Sequence, residues 1–165
     1  MTTDDLILQT LYNSTLTEEL RDAEIEALAN IITVRDYKAG EFILQPGASS
    51  LKDTLLILAS GDVEATAITG GEKMTLHMLK PGDLAGIIGF VGGSATQISA
   101  TVVAKSDSRV LLLDRKRFEG LLNTNPAIVY YVMRGVVRHV HGIVRRMNMQ
   151  SVEMSNYIHR TGGRY

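Results

Sequence analysis

From residue 34 to residue 114 the chain alternates short apolar or alternating runs with glycine-bearing turns. The runs are EFIL, TLLILAS, DVEATAIT, KMTLHML, ISATVVA and RVLLLD. The turns fall at Gly40, Pro46-Gly47, Gly61-Asp62, Gly70-Gly71, Pro81-Gly82 and Gly92-Gly93. Regular short strands of this kind predict an antiparallel sandwich or barrel. Gly70-Gly71 fits a two-residue hairpin turn, which needs positive φ at both central positions. Pro46-Gly47 fits a type II turn, where proline presets φ and glycine takes the left-handed position.

Both flanks follow a different period. Between residues 4 and 33, Leu20, Ile25, Leu28, Ala29 and Ile32 recur mostly at three- and four-residue steps, which predicts helix, with Thr17 or Asp22 as the starting cap. Residues 115 to 158 predict helix again, divided at Asn125-Pro126 because proline suits a helix's first turn and bars the preceding residue from continuing one. A helix from 126 to 158 extends about 50 Å, longer than a lid on the β unit requires. Along it Val129, Met133, Val136, Val140, Ile143, Met147, Gln150, Met154 and Tyr157 step by four and three, a heptad seam for a twin helix. Val132, Val137 and Val144 form a second stripe beside it, so that one stripe can pack on the β unit and the other on the twin. The alternative is one broad face packed on its own domain. Gly135 and Gly142 cost about 1 kcal/mol each against alanine, and at their spacing permit close approach of a second backbone.

The 165 residues suggest a single domain, with helices to residue 33, the β unit over 34–114, hinge and long helix over 115–158, and a tail from 159. Hydrophobic residues make up 45% with few aromatics and no tryptophan, so Leu, Ile and Val must carry the core. The absence of cysteine excludes disulfides, thiolate nucleophiles and zinc–thiolate sites. MTTDDLILQT lacks the basic start of a signal peptide, and no apolar run approaches the ~20 residues that span a bilayer. The expectation is a cytoplasmic protein without membrane contact. Charge is uneven: acids crowd the first thirty residues, whereas Arg134, Arg138, Arg145, Arg146, Arg160 and Arg164 face only Glu153 after Pro126. Either the two segments attract each other within the chain, or the basic one docks an acidic partner.

Helices, a glycine-punctuated β unit and a long helix follow in an order that resembles the cyclic-nucleotide-binding domain of the catabolite-activator family. YKAGEFILQPGA, LLILASGDVEA, LHMLKPGDLAG and SATVVAKSDSRVLLLDRKRFEGLL carry the resemblance, which covers about residues 18 to 155. It implies a mainly β fold with flanking α: an antiparallel β-roll (jelly roll) with N-terminal helices and a long C-terminal dimerisation helix. In that family the phosphate-binding cassette reads roughly F-G-E-L, then R-S-A after a loop. The glutamate takes the ribose hydroxyl and the arginine the cyclic phosphate. Matching AGIIG puts Gly86 on the glycine and Ile87 on the glutamate, with Ile88 and Gly89 following. Matching QISATV puts Ile98 on the arginine, and Ser99, Ala100 and Thr101 after it. The base-contacting hydroxyl pair of the long helix falls at Ile143 and Val144. Every anchor is apolar, so the resemblance implies a degenerate cassette, no cofactor and no tight binding of cAMP or cGMP. Ile87, Ile88, Phe90, Ile98 and Ile143 either fill the space or line a site for another, apolar ligand.

Other chemistry has little support. A metal-binding barrel needs converging histidines, yet only His77 lies in the strand region, and His139, His141 and His159 lack the i, i+4 spacing of a helical metal site. Ser99 and Thr101 have no base and orienter near them in sequence. Glu41 and Asp83 read as turn carboxylates. Tyr130 and Tyr131 do not interleave with the basic residues as base stacking requires. The catabolite-activator family carries a helix-turn-helix after the long helix, and ending at Tyr165 predicts no such DNA reading here. The expectation is a non-enzymatic, dimeric interaction module for an unidentified protein partner. The alternative is a sensor that still holds a cyclic nucleotide or another effector in the β-roll.

Overall fold

The computed structural model describes residues 1–47, 50–92 and 100–162. Helix α1 (Thr3–Tyr12) and a 3-10 turn (Thr15–Thr17) precede helix α2 (Asp22–Ala29). Among the described residues eight strands follow: β1 (Ile32–Tyr37), β2 (Phe42–Leu44), β3 (Thr54–Ser60), β4 (Val63–Thr69), β5 (Glu72–Leu79), β6 (Leu84–Ala85), β7 (Thr101–Ala104) and β8 (Ser108–Asp114). Helix α3 (Ile87–Val91) sits between β6 and β7. Helix α4 (Arg115–Gly120), a second 3-10 turn (Leu121–Asn123) and helix α5 (Pro126–Thr161) complete the order.

The strands form two antiparallel four-stranded sheets, β1-β8-β3-β6 and β2-β7-β4-β5, which is the expected β-roll. TLLILAS and RVLLLD are continuously apolar because β3 and β8 are covered on both faces. Leu55, Ile57, Leu111 and Leu113 point to the helices, where they meet Leu11, Leu16, Leu28, Phe118, Ile128 and Val132. Leu56, Leu58, Val110 and Leu112 point to the other sheet and meet Ile43, Val63, Leu79 and Val102. Each fully buried Leu or Ile contributes about 1.5–3 kcal/mol, so this two-sided burial is the main drive for the fold. The hairpin glycines have the required positive φ, +62° at Gly70 and +83° at Gly71.

Three expectations are corrected at the flanks. The first helical zone does not reach residue 33: α2 ends at Ala29, and Ile32 opens β1, where it pairs with Leu113 of β8. A buried face on a strand beside the sheet offers Ile32 more than another helical turn would. Neither Thr17 nor Asp22 caps a helix. Thr2 closes a capping box with Asp5 on α1, and Ser14 Oγ accepts from Leu16 N (3.2 Å). Thr17 Oγ1 donates instead to the Leu11 carbonyl, and the N-cap of α2 is Arg21, whose N–H donates to Glu24 (2.8 Å). At the other end α5 continues through Thr161, so residues 159 to 161 belong to the helix and not to the tail.

Candidate functional site: the cassette helix and the long helix

The turn Pro81–Asp83 leads into the cassette. It is pinned to β3 by Gly82 N donating to Leu58 O (2.7 Å), and to the N-terminal segment by Ser14 Oγ donating to Gly82 O (3.0 Å). Strand β6 then pairs with β3, and Gly86 turns the chain into α3 with φ +76°. A β-carbon at Gly86 would stand 2.7 Å from the Thr54 carbonyl, so backbone angle and space both demand glycine. Gly89 lies against the Lys52 carbonyl, where a β-carbon would collide. The cassette glycines are therefore required by packing, whatever the site binds.

Helix α3 is apolar throughout. Ile87, the first residue of α3, is half-buried and packs on the main core. Phe90 is 2% exposed, with its ring centroid 5.4 Å from that of Phe118 in α4. Ile88 does not fill the core: it is 56% exposed. The spacing of the sequence offered no sign of Arg115, which ties the cassette to α4. Its guanidinium pairs with Asp53 (3.3 Å) and donates to the Gly89 carbonyl (3.4 Å) beside Gly92. Ala100 and Thr101 are half-buried at the start of β7, with Thr101 opposite Thr66. Ile98 and Ser99 lie outside the described residues. Ile143 and Val144 belong to α5, which packs chiefly on the two 3-10 turns, whereas α3 packs on β3.

The apolar positions of α5 divide by location. Ile128, Val132, Gly135 and Val136 are buried against the domain, and Val129 and Met133 pack beside them. The first third of the expected seam is thus used inside the chain. The predicted assignment of Val132 to the same stripe as Val137 and Val144 fails, because Val132 is buried while Val137 is 65% exposed. Ile143 is half-buried, and every described residue from Val144 onward is exposed. The outward stripe is Val137, Val140, Val144, Met147, Met154 and Ile158, still at heptad steps, and it shares Val140, Met147 and Met154 with the predicted line.

Charge holds the buried third in place. Arg134 donates to Glu19 (2.8 Å), and Arg138 reaches Glu19 (2.6 Å) and Glu18 (3.3 Å). The acidic N-terminal segment and the basic helix therefore attract each other within the chain. Hydrogen bonds from the two arginines hold the Glu19 carboxyl below its ordinary range. Arg134 lies over the Tyr130 ring, and Tyr130 packs edge-on against Tyr131 with centroids 5.2 Å apart. In the strand region, His77 Nε2 meets Asp83 Oδ2 at 3.2 Å. Among the described residues no group of three or more His, Asp or Glu side chains is placed to hold a metal ion. No described helix is long and apolar enough to cross a membrane.

Comparison with known proteins agrees with the architecture. The chain is 27% identical over 117 residues to the HTH-type transcriptional regulator Cmr of Mycobacterium tuberculosis (strain CDC 1551 / Oshkosh). That alignment takes in 71% of this chain and 46% of the relative, so the chain spans about half the length of the curated relative it matches. A cyclic nucleotide-binding domain from Methylobacillus flagellatus KT superposes with TM-score 0.79 at 18% identity, over 92% of this chain and 83% of the other. The Thermus thermophilus catabolite activator protein superposes with TM-score 0.67 at 26% identity, over 84% of this chain and 63% of the other. Residues 34–125, more than half of the sequence, match the family described as the cyclic nucleotide-binding domain, and the chain belongs to that family.

Proposed function

We propose that this chain is a non-enzymatic regulatory module of the cytoplasm, dimeric through α5, that acts by protein contact and does not hold cAMP or cGMP tightly. The observation that carries the reading is Ile87. It opens α3 and turns its side chain against the core, and on our matching of AGIIG to the family's cassette it takes the place of the ribose-binding glutamate. A cyclic phosphate keeps its charge, and moving it from water into a hydrocarbon-walled site without a paired cation is strongly unfavourable. Each charge-assisted hydrogen bond is worth about 1.5–3 kcal/mol. Losing a bidentate arginine pair therefore costs roughly 100- to 10,000-fold in affinity. Arg115, which reaches α3, is engaged with Asp53 and the Gly89 carbonyl.

The outward stripe of α5 supports the dimer. Six apolar positions at heptad spacing stand exposed on a helix that runs well past its own domain. Doubled by two-fold symmetry, their burial is on the order of 10–20 kcal/mol. That reaches or exceeds the roughly 4–15 kcal/mol that association costs. Tyr130 and Tyr131 pack on each other, which favours protein contact over base stacking on this helix. Native mass spectrometry of the purified chain tests the whole reading: the expected mass is two chains without an adduct. A monomer at tens of micromolar, or a retained nucleotide, would overturn it.

A further inference from the structure

Where α5 leaves the domain it crosses the turn that leads into the cassette. A groove there is lined by Asn13, Glu18, Asp83, Arg138, His139 and Arg146. His139 stands at its base. The ring atom Nε2 is closed off from solvent and has no hydrogen-bond partner. Val136, one turn earlier, is fully buried, and from Val144 onward the helix is exposed, so His139 is one of the last residues holding α5 to the β-roll.

The groups facing this imidazole come from each surrounding element. The β5–β6 turn supplies Asp83, β5 supplies His77, the N-terminal segment supplies Glu18, and α5 itself supplies Arg138 and Arg146. The carboxylates are already engaged. Asp83 Oδ2 accepts from Lys80 N (2.9 Å) and meets His77 Nε2 (3.2 Å), while Glu18 pairs with Arg138 (3.3 Å). A proton arriving on His139 therefore adds positive charge to a ring whose Nε2 is closed to solvent and unpartnered, close to Arg146 and His77. A buried unpaired charge is costly, and the structure relieves it by letting water in or by moving the helix away.

We propose that His139 is a proton-operated latch between α5 and the Pro81–Asp83 turn, closed while the ring is neutral and opened when it is protonated. Because that turn runs directly into β6 and Gly86, opening the latch loosens the approach to the cassette together with the exit of the long helix. Burial holds the ring's pKa below the ordinary imidazole value of 6.5, with Asp83 opposing the shift and His77 and Arg146 adding to it. The sign follows from linkage. The unfolded or opened chain binds the proton more readily, so closure is fully favoured above 6.5 and is lost as pH falls through the lower folded value.

Hydrogen–deuterium exchange of the full chain at pH 7.5 and 5.5, corrected for intrinsic rates, reads the latch in peptides covering 78–90 and 136–146. The expected result is an opening equilibrium that rises by up to about tenfold per pH unit within the linkage window. His139→Gln should show the same protection at both pH values, and His77→Gln should keep the wild-type response. Unchanged wild-type protection, a response that survives His139→Gln, or one that vanishes with His77→Gln would each overturn the proposal. Should His139→Gln fail to fold, nitrogen NMR titration of the wild-type ring decides: titration below 6.5 supports the latch, and titration at or above 6.5 rejects it.

Discussion

Leu16 rests its backbone directly on Gly135: a β-carbon on the glycine would stand 2.5 Å from the Leu16 carbonyl oxygen. The contact joins the N-terminal 3-10 turn to the long helix, and it decides which face of α5 looks inward. Gly142, seven residues on, has nothing within 4 Å of the same hypothetical atom. Gly135→Ala should therefore lose stability by up to about 2 kcal/mol, because overpacking costs about 1–3 kcal/mol and the helix gains about 1. Gly142→Ala should gain about 1 kcal/mol from helix propensity alone. Urea denaturation of both variants checks the pair. A stabilised Gly135→Ala would contradict the packing, and a destabilised Gly142→Ala would show a second backbone resting there in the dimer.

Glu19 receives hydrogen bonds from both Arg134 and Arg138, and these hold its carboxyl below the ordinary value of 4.5. A depressed carboxylate contributes stability that is present above the unfolded pKa and is lost as pH falls through the folded one. Glu19→Gln should be less stable than wild type at neutral pH, and the gap should close as the pH drops below 4.5. Because the pair is partly exposed, added salt should narrow the gap as well. Denaturation midpoints across pH and ionic strength measure both effects, and a gap that widened on acidification would be inconsistent with the pairing.

Phe90 carries the cassette helix on Phe118, ring to ring. Truncating so buried an aromatic costs about 3–5 kcal/mol. Phe90→Ala should lower stability by that order, and exchange protection should fall in α4 as well as in α3. Loss of protection in α3 alone would mean that the cassette and α4 are not coupled through these rings.

The strands could be read from the sequence because their turns are glycine-marked and because β3 and β8, covered on both faces, appear as unbroken apolar runs. Ile32 could not. Its position continues the three- and four-residue steps of α2, and only pairing with Leu113 far along the chain makes it a strand residue. The line of the α5 seam was likewise half legible. Heptad spacing announced an apolar stripe, but two neighbouring stripes satisfy it, and the choice is made by the Leu16–Gly135 contact, which no local pattern encodes. The apolar character of Ile87 and Ile88 was plain in the sequence. That Ile87 faces the core while Ile88 faces solvent depends on how Gly86 starts α3. Arg115 and the approach of His139 to Asp83 join residues distant in sequence, and nothing local marks them.

The outward stripe of α5 is the proposed seat of the second copy, so a charge placed on it should separate the pair. Val144→Glu and Met147→Lys, both at exposed positions, should leave the fold's thermal stability as a monomer unchanged and shift the sedimentation coefficient to that of one chain. Variants that still sediment as dimers would place the interface elsewhere.

On the proposed reading, a cassette that opens on Ile87 does not retain a ribose cyclic phosphate. Titration calorimetry of the purified chain with cAMP and with cGMP tests it most directly. No saturable heat is expected at micromolar nucleotide for either. A clear micromolar isotherm for one of them would contradict it.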